Sequence, residues 1–208
     1  MQNIYSAVHF IMRGGFMMYP LLIVSVLSMS LIIERLIFFG KIKDPGIALL
    51  HTVQELVHAG KTDDLRALLS AQRSPIADVL TIGAEHIDAD PVDLDSAMEQ
   101  RAMSVMPQLE SNLWVLDTII TMAPLLGLLG TIIGMINAFQ IFSTRGLNQP
   151  TAISGGVGEA LIATATGLIV AVFTLLFYNY FNTKIRRITK DMEFAANEFE
   201  KIVKQRQQ

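Results

Sequence analysis

Three long segments of this chain contain no acidic, basic or histidine side chain. They run from Gly14 to Ile33, from Thr118 to Thr144 and from Ala160 to Thr183. Since a helix rises about 1.5 Å per residue and the apolar core of a bilayer is about 30 Å thick, roughly 20 residues are enough to cross it. Each segment has that length, so the sequence predicts an all-α membrane protein with three transmembrane helices.

The residue types also exclude several kinds of chemistry. The chain has no cysteine, which excludes disulfides, thiolate metal sites and cysteine nucleophiles. Neither HExxH nor GxSxG occurs, and no pair of aspartates lies deep in a span, so we expect no enzyme, no cofactor and no metal. No basic patch interleaved with aromatic residues indicates a nucleic-acid partner. The first span ends in Ile33-Glu34-Arg35, which favours a retained anchor over a cleaved signal peptide.

Lysine and arginine near the span ends predict the orientation, because they collect on the cytoplasmic side. Only Arg13 precedes the first span, whereas Arg35, Lys41 and Lys43 follow it. Arg145 alone lies between the second and third spans, and several basic residues follow the third. The N-terminus is therefore expected on the outer side of the membrane, and the C-terminus in the cytoplasm.

These patterns divide the chain into seven expected parts. In order they are a short N-terminal segment (1–15), a first span (16–39), a cytoplasmic helical segment (40–114), a second span (115–142), an outer loop (143–155), a third span (156–183) and a cytoplasmic C-terminal helix (184–208). No stretch has the alternation of a β-strand, and no internal repeat is visible.

The cytoplasmic segment has several helix signals. Gly60 is expected to end a first helix, and Ser74-Pro75 to begin one that runs towards Ile87. Asp90 before Pro91 is typical of an N-cap followed by proline at the first helical position. From there the pattern continues into the second span, except at Pro107, which predicts a kink or the true start of the helix. The second and third spans are therefore expected to project beyond the membrane as long helices.

Small residues mark one face of each of the last two spans. At 100° per residue, the second span groups Gly127, Gly130, Thr131, Gly134 and Ala138, and the third groups Glu159, Ala160, Ala163, Thr164, Thr166, Gly167, Ala171 and Thr174. Small residues let membrane helices approach closely, so these faces predict helix packing. The threonine hydroxyls can bond back to the preceding turn of their own helix. A monomer is expected to expose these faces to lipid.

Glu159 has two interpretations. Acids within spans usually face a protein interior or water, which favours a function. Alternatively, Glu159 follows Ser154-Gly155-Gly156 and could be stabilised by a helix N-terminus. No Asp, Glu, His or Lys lies near the middle of any span. If the protein moves protons, a partner chain must bring the carrier carboxylate.

Two segments resemble a known family. Residues 123–135, APLLGLLGTIIGM, are similar to the second-span signature of ExbB and TolQ, and residues 156–168, GVGEALIATATGL, to their third-span signature. Tyr178-Asn179 and Ile33-Glu34-Arg35 also fit. The chain thus resembles the ExbB/TolQ/MotA proton channel family along nearly its whole length, and ExbB most of all.

The resemblance implies a motor subunit of the bacterial inner membrane. Five copies would surround an ExbD-like or TolR-like single-span partner whose membrane aspartate carries the proton, and work would pass to a TonB-like or TolA-like protein. Thr131 and Thr164 would line the pore, and Glu159 would lie near its periplasmic entrance. The expected helix contacts are Gly127, Gly130, Gly134, Ala163 and Gly167. Gly155 stands where the family usually has proline, which is expected to loosen the helix start.

Four alternatives remain open at this point. An ExbB-like subunit energising TonB-dependent transport is favoured over a TolQ-like subunit of the Tol-Pal system, because the Gly-Leu-Leu-Gly-Thr and Ile-Ile-Gly-Met sequences resemble ExbB more. A flagellar MotA-type stator is less favoured, since no charged torque helix is evident. A passive membrane scaffold or permease subunit would show conductance or assembly that does not depend on a partner aspartate.

Overall fold

The computed structural model describes residues 14–42, 46–145 and 150–207, and within these ranges the chain is helical with no strand. The helices are α1 (Met18–Lys41), α2 (Gly46–His58), α3 (Thr62–Ser70), α4 (Pro75–Glu85), α5 (Pro91–Leu109), α6 (Leu113–Arg145) and α7 (Pro150–Gln207). Helices α1, α6 and α7 are long and apolar enough to cross a membrane. The expected all-α fold with three potential spans is confirmed. The N-terminal segment expected over 1–15 lies outside the described residues except for Gly14 and Gly15, as do Arg13 and Lys43.

The described residues form two compact units. The first unit contains residues 14–34, 112–145 and 150–179, and the second contains residues 35–42, 46–111 and 180–207. Helices α1 and α7 contribute residues to both.

The first unit has a narrow core and a wide apolar surface. Its core joins α1, α6 and α7 through Met18, Leu21, Val24, Ile119, Ala123, Ala163 and Ala171. Large apolar side chains on the opposite faces are more than half exposed, among them Ile23, Val26, Leu125, Phe139, Leu161 and Leu176. Helices that are apolar all round belong in a membrane or inside a larger protein. This unit therefore has the surface of a membrane domain.

A buried polar contact also joins two helices of the first unit. The hydroxyls of Ser28 on α1 and Thr174 on α7 lie 2.7 Å apart, and the Thr174 hydroxyl also donates to the Val170 carbonyl of its own helix. Such hydrogen bonds between membrane helices stabilise the fold by about 0.6 kcal/mol on average. The contact fixes the register of α7 against α1.

The second unit is helical, and its buried apolar side chains come mainly from α2 to α5 and from α7. Helices α2 to α5 pack in succession, and Gly83 on α4 lies against Phe199 on α7 and Met98 on α5. The expected stop at Gly60 is confirmed, since α2 ends at His58 and this glycine, two residues later, has φ +70°. Asp90 caps α5 by accepting a hydrogen bond from the Val92 amide at 2.9 Å, as the sequence predicts.

The helical pattern that runs from Pro91 into the second span is interrupted, but not at Pro107, where the sequence predicts a kink or the start of a helix. Helix α5 ends at Leu109, and α6 begins at Leu113 after Asn112, which has φ 62°. Asparagine adopts this left-handed conformation more readily than most residues, so the chain can turn there. Pro107 does not itself break the helix, but it lacks an amide hydrogen and weakens the last turn of α5.

The stretch expected as an outer loop, 143–155, is largely helical. Helix α6 continues to Arg145, and α7 begins at Pro150, where proline suits the first helical position. Gly155 lies inside α7 rather than at its start. Helix α7 has 58 residues, which corresponds to a length of about 87 Å.

Candidate functional site

Glycines on α6 let its backbone meet the backbone of α7. A Cβ atom added to Gly127 would lie 2.9 Å from the Thr164 Cα and 3.0 Å from the Ala163 carbonyl oxygen. One added to Gly134 would lie 2.8 Å from the Ala160 Cβ. These distances are too short for real carbon contacts, so only glycine permits this approach. We call this line of contacts the glycine seam.

The remaining expected packing residues also lie in the glycine seam. A Cβ at Gly130 would be 2.6 Å from the Ala163 Cβ, and one at Gly167 would meet the Ala123 carbonyl oxygen. Leu128, Leu129, Ile132, Ile136 and Phe139 are exposed on the other side of α6. The structure thus brings Gly127, Gly130, Gly134, Ala163 and Gly167 together within one chain.

The two threonines expected in the pore have different partners. The Thr164 hydroxyl donates to the Gly127 carbonyl across the seam at 2.7 Å. The Thr131 hydroxyl donates to the Leu128 carbonyl of its own helix at 2.6 Å and is partly exposed. The expectation that hydroxyls bond back within their helix holds for Thr131 and Thr166, but not for Thr164. Thr164 is therefore part of the contact between α6 and α7.

Glu159 is not at a helix end. Helix α7 begins at Pro150, so Glu159 lies more than two turns inside it, whereas the stabilising effect of a helix N-terminus falls off within the first turn. The interpretation of Glu159 as a residue stabilised by its own helix N-terminus is therefore wrong. Its side chain is partly buried.

The carboxyl group of Glu159 lies against Gly15. A Cβ at Gly15 would overlap the Glu159 Oε1 atom, and Gly15 has φ +69° just before α1. The Gly15 carbonyl accepts the first amide of α1, from Met18, at 3.0 Å. Sequence reasoning missed Gly15. Its signal was a glycine pair, Gly14-Gly15, at the entry to the first span.

Arg35 is a second residue whose position the sequence did not predict. Its side chain is 4% exposed; one guanidinium nitrogen donates to the Gln108 carbonyl at 3.2 Å, and the group lies 4.8 Å over the Phe38 ring. Carbonyls in the last turn of a helix lack intrahelical partners, and Gln108 is in the last turn of α5. Arg35 therefore completes the end of that helix.

Helices α1, α6 and α7 are apolar and long enough to cross a membrane. Helices α6 and α7 meet through their backbones, and α7 carries the partly buried Glu159. These features define a multi-span membrane protein with polar groups along its helix contacts. The chain belongs to the MotA/TolQ/ExbB proton channel family, whose sequence model matches residues 71–194. The resemblance noted from the two span signatures is thereby confirmed. The family is one of channels rather than enzymes.

The most similar proteins compared include ExbB and TolQ relatives. A Synechocystis sp. protein that carries the name biopolymer transport protein ExbB-like 3 is 34% identical over 174 residues, which cover 83% of each chain. The biopolymer transport protein ExbB of Neisseria gonorrhoeae is 34% identical over 94 residues, covering 45% of this chain and 43% of its own. The Tol-Pal system protein TolQ of Pseudomonas aeruginosa is 34% identical over 119 residues, covering 54% and 52%.

Proposed function

We propose that the chain is the pore-forming stator subunit of a motor driven by the proton-motive force, with an ExbB-like role. In this proposal five copies surround a central pore in the bacterial inner membrane, with the N-terminus in the periplasm and the C-terminus in the cytoplasm. An ExbD-like single-span partner supplies a membrane aspartate, and the motor energises a TonB-like protein. TonB-dependent outer-membrane transport is the process served.

The observation that carries the proposal is the absence of a titratable group at depth in a chain of a proton channel family. Residues 118–144 and 160–183 contain no acidic, basic or histidine side chain. The hydroxyls of Thr131 and Thr164 donate to backbone carbonyls, and a hydroxyl does not hold a proton as a carrier carboxylate does. A second chain must therefore bring the carboxylate on which the proton rides across the membrane.

Glu159 has the chemistry of an entrance group in this proposal. It is the acidic residue at the edge of the third apolar segment, and its carboxyl group contacts Gly15 at the start of α1. An acid placed there raises the local proton concentration at the mouth of a pathway. Thr131 and Thr164 would then lie further along the pathway, on the two helices that meet in the glycine seam.

A TolQ-like role is the second candidate, because the Pseudomonas aeruginosa TolQ matches over 119 residues at the same identity as the ExbB relatives. In that case the partners would be TolR-like and TolA-like proteins of the Tol-Pal system. Affinity purification from cells that contain both kinds of single-span partner distinguishes the two roles by which partner is retained.

Proton flux into vesicles tests the proposal. The purified chain is reconstituted with its single-span partner, a potassium gradient with valinomycin supplies the potential, and a trapped pH-sensitive dye reports acidification. We expect flux with the complex, and loss of flux when the partner's membrane aspartate is replaced by asparagine. Flux of equal size from this chain alone, or from the asparagine complex, would overturn the proposal in favour of a passive permease subunit.

A further inference from the structure

A cavity of about 380 Å³ lies within the second unit. Its wall includes the N-terminus of α4, the residue that follows α1 and one face of α7. Ile42 and Ile188 give it apolar sides, whereas Ser74, Lys184 and Arg187 bring polar and positive groups. The cavity is therefore amphipathic, and none of the expected pore residues lines it.

Ser74 is a buried polar residue with no partner among the described residues. It is 4% exposed, and its Oγ atom makes no hydrogen bond. A buried hydroxyl without a partner destabilises a fold, so such groups usually have a ligand or a bridging water. Ser74 occupies the N-cap of α4, but its side chain does not cap that helix. The hydroxyl is therefore available to something in the cavity.

The N-terminus of α4 faces the same place. Pro75 and Ile76 line the cavity, and the amides of Ile76 and Ala77 precede the first intrahelical hydrogen bond of this 11-residue helix, which the Asp78 amide makes to the Ser74 carbonyl. Free amides and the helix dipole together favour an anion. Asp78 is also in this turn, but its carboxylate is paired with Arg101 at 3.2 Å.

Charge in the cavity is positive in balance. Lys184 and Arg187 line it together with one acid, Asp191, whose carboxylate lies 3.8 Å from the Arg187 Nε. The Lys184 ammonium makes a long contact of 3.4 Å to the Phe39 carbonyl at the end of α1, which leaves two of its three N–H donors for a ligand. A single negative charge with several oxygen acceptors matches these donors.

The position along the chain selects the source of that anion. Lys184 is the first charged residue after the apolar segment 160–183, and Ile42 follows the last residue of α1. In a protein whose α1 and α7 span the membrane, as the proposed function requires, both lie where apolar chain gives way to water. We propose that the cavity binds the phosphate headgroup of an anionic phospholipid, with Ser74, the α4 N-terminus and Lys184 as its donors.

Lipid retention by the full-length protein tests this site. The protein is purified in detergent, stripped of lipid and titrated with phosphatidylglycerol or phosphatidylcholine, and bound lipid is counted by native mass spectrometry. We expect phosphatidylglycerol to be preferred at least tenfold. Ser74→Ala should weaken its binding at least fivefold without lowering the unfolding temperature of the lipid-free protein, because the variant loses a hydroxyl that has no partner there.

Matched variants separate this site from general surface charge. Ser104→Ala removes an exposed hydroxyl that bonds within α5 and should leave binding unchanged. Lys184→Gln should weaken phosphatidylglycerol binding at least threefold more than Arg186→Gln, which removes the same charge from an exposed residue outside the cavity. Equal effects within either pair would overturn the proposal. So would displacement of the lipid by 10 mM inorganic phosphate, which would assign the site to a soluble anion.

This readout does not depend on proton transport. Selective lipid retention without flux in vesicles would keep the lipid site and reject the proposed motor function. Flux without selective lipid retention would keep the proposed motor function and reject the lipid site.

Discussion

At the scale of single residues, the carboxyl group of Glu159 and its neighbour Gly15 offer the clearest test of ion access. Glu159→Gln keeps the size of the side chain and removes its charge, and Glu159 is too far inside α7 to stabilise the helix end. We expect normal expression and assembly, with proton flux reduced at least tenfold. Glu159→Asp should be partly active, because its shorter side chain misplaces the charge.

Proton flux into vesicles tests this prediction when each Glu159 variant is reconstituted with the single-span partner. Glu193→Gln is the matched control, since Glu193 is an exposed acid on the same helix. Wild-type flux from Glu159→Gln would show that the charge is dispensable. Loss of assembly together with flux would assign Glu159 a structural role.

Gly15 can be tested with a control that shares its backbone strain. Gly15→Ala places a methyl group where the Glu159 carboxyl lies and forces φ +69° on an L-residue, whereas Gly60→Ala meets the same strain at φ +70° with open space around it. Strain alone should lower the free energy of unfolding by about 1–2 kcal/mol in both. We expect only Gly15→Ala also to lower flux. Equal flux in the two variants would show that the contact with Glu159 has no functional weight.

Thr131 and Thr164 are expected to separate transport from stability. Valine keeps the shape of threonine and removes its hydroxyl. Thr164→Val should lower the stability of the helix pair by about 0.6–1.7 kcal/mol, because it loses the hydrogen bond to Gly127, whereas Thr131→Val should change it less. Both variants should lose most proton flux. Thermal unfolding in detergent measures the stability of both variants, and flux into vesicles measures their transport. Full flux in both variants would show that these threonines serve only helix packing.

Residue roles were predictable only in part from the sequence. The exposed and contacting faces of α6 follow from a rotation of 100° per residue, which needs no tertiary information. The bond from Thr164 to Gly127 does not follow, because a threonine hydroxyl can reach its own helix or another one with similar geometry. The role of Gly15 was not predictable either, because its contact is with Glu159, which lies 144 positions away in the sequence.

At the scale of helices, the glycine seam should tolerate no added methyl group. Gly127→Ala places a carbon 2.9–3.3 Å from backbone atoms of α7, which cannot move aside as a flexible side chain can. Overpacking of this kind lowers the free energy of unfolding by about 1–3 kcal/mol. Gly158→Ala, with open space around its Cβ on α7, should leave stability unchanged or raise it. Thermal unfolding in detergent measures both, and equal unfolding temperatures would contradict the seam.

Element boundaries show where sequence patterns lose their power. The caps at Gly60 and Asp90 were predictable, because their side chains or conformations act within one turn of chain. The break at Asn112 was not, since apolar residues continue at helical spacing on both sides of it. The start of α7 at Pro150 was missed because the charge-free segment begins ten residues later, and a helix does not end where a membrane does.

At the scale of the whole molecule, the basis for assembly differs from the one that the sequence indicates. The small-residue faces of α6 and α7 cover each other within one chain, so they do not in themselves require other copies. The surfaces that other copies or the partner would cover are instead the partly exposed Glu159 and the wide apolar surface of the first unit. We still expect a homo-pentamer, as the resemblance implies, and native mass spectrometry in mild detergent measures it. Monomers or dimers alone would count decisively against a pore.

The division of the second unit into two stretches of chain has a consequence for synthesis. Gly83 and Met98 form part of its core with Phe199, yet the whole of the intervening first-unit stretch, Asn112–Asn179, is made between them. At about 5–20 residues per second, those roughly 70 residues take about 4–14 seconds to emerge. During that interval Gly83 on α4 and Met98 on α5 lack their contact with Phe199. The last helix to be made therefore completes a unit whose other helices, α2 to α5, are made before α6.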